Sequence, residues 1–440
     1  MTAIPRRRRR YTILAATAAV VMIIAASVMV VVGAITLSNS KEGEAVGVDE
    51  RPTVTFPATP NALLAVTSDE GELASLVVLT LLPAGQGGSI VTVPVNADST
   101  GWFGSERQPI SDSFDPDDVD ALVGQVEGLL SISIERAQIV GAEELTAMLE
   151  PVESVQLVLP ADVVDTVEEE QVTLVSAGPR TLNRSSIVGV LTAVDVEVPS
   201  YDQHQTDVAI WEALSNTAPI ASPPEAVPVD DLGRPVPPSS VADLFARLWQ
   251  GDVGVRDLGL SVLVAADNPT NADVVLLDTR DTVLVFAQIS PGLVSSPAPG
   301  LNMRVVAQFT SEQLAASGGP HETTSDLMRD LIGRMLFLEN NVLSVDSTSS
   351  GAPDVTLIEV ASEHRLDEIA GAADALFGPS EVVVADTVLV GIDMQVTLGV
   401  SYLEREAEKA ADSSGTIEET PVEPATTDEA GAPGTVVDDG

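Results

Sequence analysis

Few residues of this chain have the type and spacing that chemistry requires. Asp69 closes a short apolar run, NALLAVTSD, and a carboxylate there is a candidate to bind Mg²⁺ beside a phosphate. Aspartate at a strand end is also an ordinary turn residue. Trp102 and Phe103, flanked by glycines, are the aromatic pair most expected to face a ligand, and Arg107 is the nearest candidate cation. These four residues are the predicted ligand-binding positions.

Other chemical patterns are incomplete. The acidic run at 115–120 resembles part of a calcium loop, but Asp120 and Val126 stand where an EF-hand needs glycine and glutamate. The glycine-rich run at 84–88 lacks the lysine of a phosphate-binding loop and predicts a hairpin turn instead. No G-x-S-x-G nucleophile turn occurs. The sequence therefore predicts no catalytic residue.

Composition excludes several classes of function. The chain has 66 acidic and 21 basic residues and a formal net charge of −45, so it would repel nucleic acid, and the acidity is interpreted as solubility. It has no cysteine, which excludes disulfides and thiolate chemistry. Its three histidines, His204, His321 and His364, are scattered and are predicted to lie at the surface. No metal site is predicted.

The N-terminus has the pattern of a membrane anchor. Five arginines, Arg6 to Arg10, form a basic tail at 1–10 and precede an uncharged, mostly apolar stretch at 11–37. That stretch exceeds the roughly 20 residues that a helix needs to cross a bilayer, and the arginines mark the cytoplasmic side. A cleaved signal peptide, the alternative, has an apolar core of about 7–15 residues. We expect a single-pass signal-anchor, with the bulk of the chain extracytoplasmic.

Strand and helix patterns alternate through most of the remaining chain, which predicts an α/β fold with helices covering a sheet. After a linker at 38–56 we expect a main α/β/α sandwich domain at 57–217.

The remaining predicted segments are a proline-rich connector at 218–240, an extension of the main domain at 241–300, a smaller α/β domain at 301–403 and a disordered acidic tail at 404–440.

Two local predictions concern the ends of elements. Asp115, followed by Pro116, is expected to cap a helix that continues through VDALVGQVEGLLS. The apolar run DVVLLDTRDTVLVFAQI is expected to form a pair of strands that turns around Thr279–Asp281.

The order of these segments resembles the LytR-CpsA-Psr family, whose members have one membrane span and face outward in bacterial envelopes. The resemblance covers 57–217. It includes the strand that ends at Asp69, the strand end TVPVN at Thr92–Asn96, and the turn GPRTLN at Gly178–Asn183. The later stretches AADALFGPSEVVVAD and VTLGVSY are similar to the small C-terminal domain of actinobacterial members.

The resemblance implies transfer of a glycopolymer from a polyprenyl-pyrophosphate carrier to peptidoglycan, a reaction that needs arginines and a metal-binding aspartate. The family's Arg-Ser-Asp-Thr run corresponds to Leu73–Leu76, with Ser75 in place of the metal-binding aspartate, and its Pro-Arg-Asp run ends in Val95 and Asn96. A later arginine-rich helix corresponds to QHQTDVAIW. Among the expected site carboxylates only Asp69 matches.

We therefore expect a pseudoenzyme: an anchored cell-wall protein that binds a lipid-linked intermediate, peptidoglycan or a protein partner and needs no cofactor. Two alternatives stay open. One is an active transferase, in which case Mg²⁺ is the expected cofactor. The other is a structural or regulatory ectodomain without a ligand.

Overall fold

The computed structural model describes residues 51–100, 107–167, 170–194, 200–222, 225–261, 263 and 267–414. The predicted span at 11–37 and the aromatic pair Trp102–Phe103 lie outside these residues. Within them, no helix combines the length and the apolar character that crossing a membrane requires.

The described elements alternate between strands and helices along the chain. The strands are β1 Thr53–Val54, β2 Asn61–Thr67, β3 Leu73–Leu81, β4 Gly88–Thr92, β5 Ala137–Val140, β6 Ser154–Leu159, β7 Val163–Val167, β8 Glu170–Val175, β9 Gly178–Asn183, β10 Val253–Asp257, β11 Leu260–Ser261, β12 Leu276–Leu277, β13 Asn302–Ala307, β14 Asn341–Ser347, β15 Thr356–Val360, β16 Ser380–Val384, β17 Val388–Leu389 and β18 Met394–Leu398. The helices are α1 Ile110–Ser113, α2 Val119–Leu130, α3 Ala142–Met148, α4 Arg184–Leu191, α5 Ser200–Ala221, α6 Val241–Leu248, α7 Thr279–Ile289, α8 Ser311–Ser317, α9 Thr324–Phe337, α10 Glu363–Phe377 and α11 Val400–Ser414.

The first lobe is built on a mixed five-stranded sheet with the order β10-β4-β3-β2-β5. Its central strands, β2 and β3, are buried along their whole length, because apolar residues point to both faces. Strands β2 and β5 are parallel, as are β4 and β10, whereas β3 is antiparallel to both neighbours. The edge strand β10 comes from the segment predicted to extend the main domain.

Helices cover both faces of this sheet and complete a three-layer α/β/α arrangement. One face packs against α3 to α6, where Trp211, Phe245 and Trp249 meet edge to face in the core. The other face packs against α2 and α7. The α/β fold predicted from the sequence is confirmed. Outside the main sheet, β6 pairs antiparallel with β9, and the β7–β8 hairpin lies between them in the chain. The turn expected at Gly178–Asn183 is wrong, because that segment is strand β9 and pairs along its whole length with β6.

The second lobe has its own five-stranded sheet, in the order β14-β13-β18-β15-β16. Only the pairing between β15 and β18 is antiparallel. Helices α9, α10 and α11 bury Leu331, Phe377 and Tyr402 against it. These elements form a smaller C-terminal α/β lobe.

The strand pair expected around Thr279–Asp281 is wrong. The segment forms helix α7, with Asp278 as the N-cap that accepts a hydrogen bond from the Arg280 amide. The helix is apolar nearly all round because it contributes to both lobes: Phe286 enters the core of the first and Leu284 the core of the second.

Asp281 joins the two lobes through a buried carboxylate. Its Oδ2 accepts a 2.7 Å hydrogen bond from the Gly259 amide, and its Oδ1 accepts a 2.6 Å bond from Nε of Arg329 on α9. The side chain of Asp281 is only 6% exposed, so these bonds replace its lost hydration.

Two predicted boundaries were also wrong. The expected tail at 404–440 begins instead as helix α11, because Glu406 bonds to Arg334 of α9 and holds that turn against the lobe. Helix α2 starts three residues later than expected. Asp118 caps it, while Asp115 accepts a bond from the Asp117 amide before the helix.

Candidate functional site

The carboxyl edge of the first sheet is the candidate site. Strands β2, β4, β5 and β10 end there and β3 begins there, so loops and side chains from five strands meet at one edge. In α/β sheets this is where ligands most often bind. It is also where Ser75 and the strand end of β4 place the positions that the family resemblance assigns to chemistry.

One face of helix α5 packs against this edge. Gln203, His204 and Asp207 fall on that face at successive helical spacings and precede the buried Trp211. Gln203 anchors the first turn: its Nε2 donates to the carbonyl of Ala74 at 3.1 Å and to that of Ala193 at 2.7 Å.

His204 lies in the core of this contact and not at the surface, so that prediction was wrong for His204. Its side chain is 4% exposed, and Nε2 lies 2.8 Å from Oδ1 of Asp257, the last residue of β10. Burial tends to raise the pKa of Asp257, but the hydrogen bond and the charge interaction with His204 outweigh it and hold that pKa below its usual range. The pair satisfies an imidazole that burial would otherwise leave without a partner.

Asp207, one turn after His204, is a buried carboxyl group. Burial raises its pKa well above the usual range, and the facing hydroxyl of Ser75 offsets this only in part. The Ser75 Oγ is itself buried and makes no hydrogen bond of normal geometry with a described residue. A buried carboxyl group with a raised pKa therefore faces a hydroxyl where the family resemblance implies a metal-binding aspartate and arginines.

The edge is thus polar, acidic and closed. Among the described residues, no arginine or lysine bonds to Ser75, Asp207 or Asp257. Nor, in the described ranges, do three or more His, Asp or Glu side chains converge as metal ligands would. The cavity beside the site, between β7, α4 and α5, holds about 30 Å³, room for one or two waters.

The residues predicted from the sequence lie elsewhere. Asp69 is exposed in the turn between β2 and β3, where the Ser68 hydroxyl accepts bonds from the amides of Glu70 and Glu72. No ion pair of the described residues joins Asp69 to a cation. Trp102 and Phe103 lie outside the described residues.

Arg107 belongs to a buried ion pair. Its Nη1 lies 2.6 Å from Oδ2 of Asp98, and the two side chains are 9% and 2% exposed. Nε of Arg107 also donates to the Asp267 carbonyl at 3.0 Å. The pair links the segment after β4 to a later loop, so the structure gives Arg107 a structural contact and does not bring it to Asp69.

Sequence reasoning missed His204, Asp207 and Asp257 as members of one site. The signal that could have revealed two of them is their spacing: in QHQTDVAIW, His204 and Asp207 share a helical face with the apolar Trp211. Polar residues on an otherwise buried face need partners. Asp257 could not be paired with them, because the contact spans more than fifty residues.

No protein-family model matches the chain, and no curated protein matches it. Among solved structures, it is similar to Bacillus subtilis TagV, at 16% identity over 55% of this chain and 100% of that one, with a TM-score of 0.37. A structure of TagT bound to LIIa-WTA gives 14% identity over 54% of this chain and 91% of that one, with a TM-score of 0.37.

A LytR-Csp2A-Psr enzyme from Actinomyces oris gives 13% identity over 51% of this chain and 91% of that one, with a TM-score of 0.34. This neighbour carries the name of the family that the sequence motifs resemble, and all three cover about half of the chain. Since scores of this size carry no argument about activity, the function has to be argued from the chain's own residues.

Proposed function

We propose that the chain is a LytR-CpsA-Psr-like protein of the cell envelope that has lost phosphotransferase activity and acts by binding a wall component or a protein partner. The sequence motifs in 57–217 support the family, and the mixed α/β fold is compatible with it. The arginines at Arg6–Arg10 and the apolar stretch at 11–37 support a membrane anchor with the lobes outside.

The acidic carboxyl edge carries this proposal. A bound pyrophosphate needs positive charge, because transferring its charge into a partly buried pocket without cations costs several kcal/mol or more. Here Ser75 stands at the position of the metal-binding aspartate, and the carboxyl groups of Asp207 and Asp257 lie at the same edge. The carboxylate of Asp257 is already paired with His204, and Arg256, its neighbour on β10, points to the opposite face of the strand. Among the described residues no arginine or lysine bonds to Ser75, Asp207 or Asp257, which supports loss of the pyrophosphate clamp.

The size of the adjoining cavity supports the same proposal. Pockets for small molecules and cofactors usually enclose about 300–1,000 Å³. The cavity of about 30 Å³ between β7, α4 and α5 is far smaller than a lipid-linked sugar. Gln203, which bonds to two backbone carbonyls, fastens α5 across it. A wall polymer or a protein bound at the surface is therefore the favoured ligand.

The test is a transfer assay with the full chain extracted in detergent. The protein is incubated with Mg²⁺, a polyprenyl-pyrophosphate-linked disaccharide and soluble peptidoglycan fragments, and release of polyprenyl phosphate is followed. We expect no release above that of a protein-free control. Release that depends on Mg²⁺ and is abolished in the Ser75→Leu variant would establish the active-transferase alternative.

A further inference from the structure

A second and much larger concavity lies at the opposite edge of the first sheet, where that sheet meets the second lobe. It consists of two adjoining cavities of about 560 and 480 Å³. We call the two cavities together the interlobe cleft. They share five lining residues: Pro57, Arg256, Gln288, Ile289 and Pro291. The size of the cleft is that of a small-molecule site.

Arg256 is the unusual residue of this cleft. Every other arginine and the lysine in the described part of the chain have at least one hydrogen-bond or ion-pair partner, whereas the guanidinium of Arg256 has none. In a chain whose net charge is −45, carboxylates to pair it are abundant. An arginine left unpaired on the wall of a large cleft is therefore placed to bind an anion from outside the chain.

A second arginine enters the same cleft from the second lobe. Arg304 on β13 donates from Nη1 to Gln395 at 3.2 Å and from Nη2 to Asp346 at 3.3 Å, and these bonds fix its orientation. Its Nε is buried and has no hydrogen-bond partner among the described residues. Donors buried without a partner are rare, so Arg304 retains capacity for a further bond.

Hydroxyl groups complete the wall. Thr80, Ser89 and Gly254 are hydrogen-bonded neighbours on β3, β4 and β10, so they form a row that leads across the sheet towards Arg256. Thr80 is 2% exposed, and its Oγ1 has no hydrogen-bond partner in the described structure. Gly254 has no side chain, and no heavy atom of a non-adjacent residue lies within 4 Å of where its Cβ would be, so there is free space beside this row.

The cleft also holds two carboxylates. Asp346 is already engaged by Arg304. Asp252 directly precedes β10, four residues before Arg256, a separation of about 13 Å at roughly 3.3 Å per extended residue. That distance exceeds the screening length of about 8 Å at physiological salt, so Asp252 repels an anion at Arg256 only weakly.

We propose that the interlobe cleft binds an acidic sugar, a small ligand with one carboxylate or phosphate group at Arg256 and Arg304 and hydroxyl groups along the Thr80–Ser89 row. The proposal does not rest on the function proposed above, because it involves no family motif and Arg256 points to the face of β10 opposite to that of Asp257. It gives the second lobe a direct role, since Arg304 comes from that lobe.

The test is calorimetric titration of the full chain in detergent with D-glucuronate, glucose 6-phosphate and, as a neutral control, glucose. We expect saturable binding of at least one anionic sugar and none of glucose. Arg256→Gln should weaken that binding at least about tenfold, the value of one charge-assisted hydrogen bond. Arg136→Gln removes one half-buried arginine, paired with Glu135 beside the far edge strand β5, and should leave the affinity unchanged.

Each outcome of the titration either supports the proposal and identifies the acidic group of the ligand, or overturns the proposal. Binding of glucuronate alone identifies a carboxylate ligand, binding of glucose 6-phosphate alone a phosphate ligand, and binding of both a site that accepts either. The proposal is overturned if neither anion binds, if glucose binds equally well, or if the Arg256→Gln and Arg136→Gln variants bind alike. Circular dichroism confirms that the variants are folded, and Arg304→Gln, on the other lobe, must weaken binding as well.

Discussion

Nε2 of His204 lies 2.8 Å from Oδ1 of Asp257, so a buried imidazole on helix α5 is held by the terminal carboxylate of edge strand β10. This contact fastens the first turns of α5 over the carboxyl edge of the sheet. It also places Asp207, one turn later, against Ser75. The acidic character of the candidate site thus follows from the pairing of two residues that the sequence separates widely.

Removing the carboxylate of this pair should destabilise the protein. Asp257→Ala leaves the buried imidazole of His204 without its partner, and we expect a loss of about 1–3 kcal/mol at neutral pH. Because the pKa of Asp257 is lowered in the folded state, its contribution is present above pH ~4, the unfolded value, and is lost on further acidification. Urea denaturation at several pH values measures both effects.

The matched control is Asp231→Ala, at an exposed position of the connector, which should change stability by less than about 0.5 kcal/mol. If Asp257→Ala behaves like this control, the pair contributes nothing.

Replacing the buried carboxyl group of Asp207 should stabilise the protein at neutral pH, the opposite of the effect expected for Asp257→Ala. The pKa of Asp207 is raised in the folded state. The contribution of Asp207 to the free energy of unfolding is therefore fully present below the unfolded pKa and is lost as the pH rises through the folded pKa. Asp207→Asn keeps the shape without the ionisable proton. We expect it to be more stable than the wild type at pH ~7.5, by roughly 1–3 kcal/mol, and equal to it near pH ~4. A variant less stable than the wild type at pH ~7.5 would contradict the raised pKa of this buried carboxyl group.

Breaking the buried ion pair between Arg107 and Asp98 should destabilise the protein strongly. Arg107→Met should cost about 3–5 kcal/mol, because it leaves the carboxylate of Asp98 buried and unpaired. The double variant Asp98→Asn, Arg107→Met removes both charges and should recover part of that loss. Chemical denaturation of the two variants measures the difference. If the double variant is no more stable than the single one, the charge of Asp98 is not the cause.

The carboxylate of Asp281 should hold the lobes together. Asp281→Ala removes its bonds to the Gly259 amide and to Arg329, and we expect a loss of about 2–4 kcal/mol from two charge-assisted hydrogen bonds. Hydrogen exchange should speed up in β11 and in the first turn of α9. Asp386→Ala, an exposed change in the second lobe, is the control and should leave exchange in both segments unchanged.

Strong apolar patterns made much of the fold predictable. The buried strands β2 and β3 are continuous apolar runs, and the glycines of the run at 84–88 close the hairpin between β3 and β4, with Gly85 and Gly87 at positive φ. Helix α7 was missed because a helix buried on two sides has no polar face, and its short apolar run has the composition of a strand.

The candidate site was harder to predict, since its contacts are long-range. Ser75 was noted only as a lost aspartate, and nothing in the sequence pairs it with Asp207 more than a hundred residues later. The acidic run before α2 also led to a wrong helix start, because it offers several aspartates that could serve as the N-cap. In the structure Asp118, and not Asp115, accepts a hydrogen bond from a free amide of the first turn, that of Ala121.

The central claim is that the carboxyl edge cannot hold a pyrophosphate, and a binding measurement tests it most directly. The full chain carrying Arg256→Gln, so that the interlobe cleft does not contribute, is titrated with the water-soluble geranyl pyrophosphate in the presence of Mg²⁺. We predict no saturable binding. Saturable binding that Ser75→Leu abolishes would place the pyrophosphate at this edge and contradict the account.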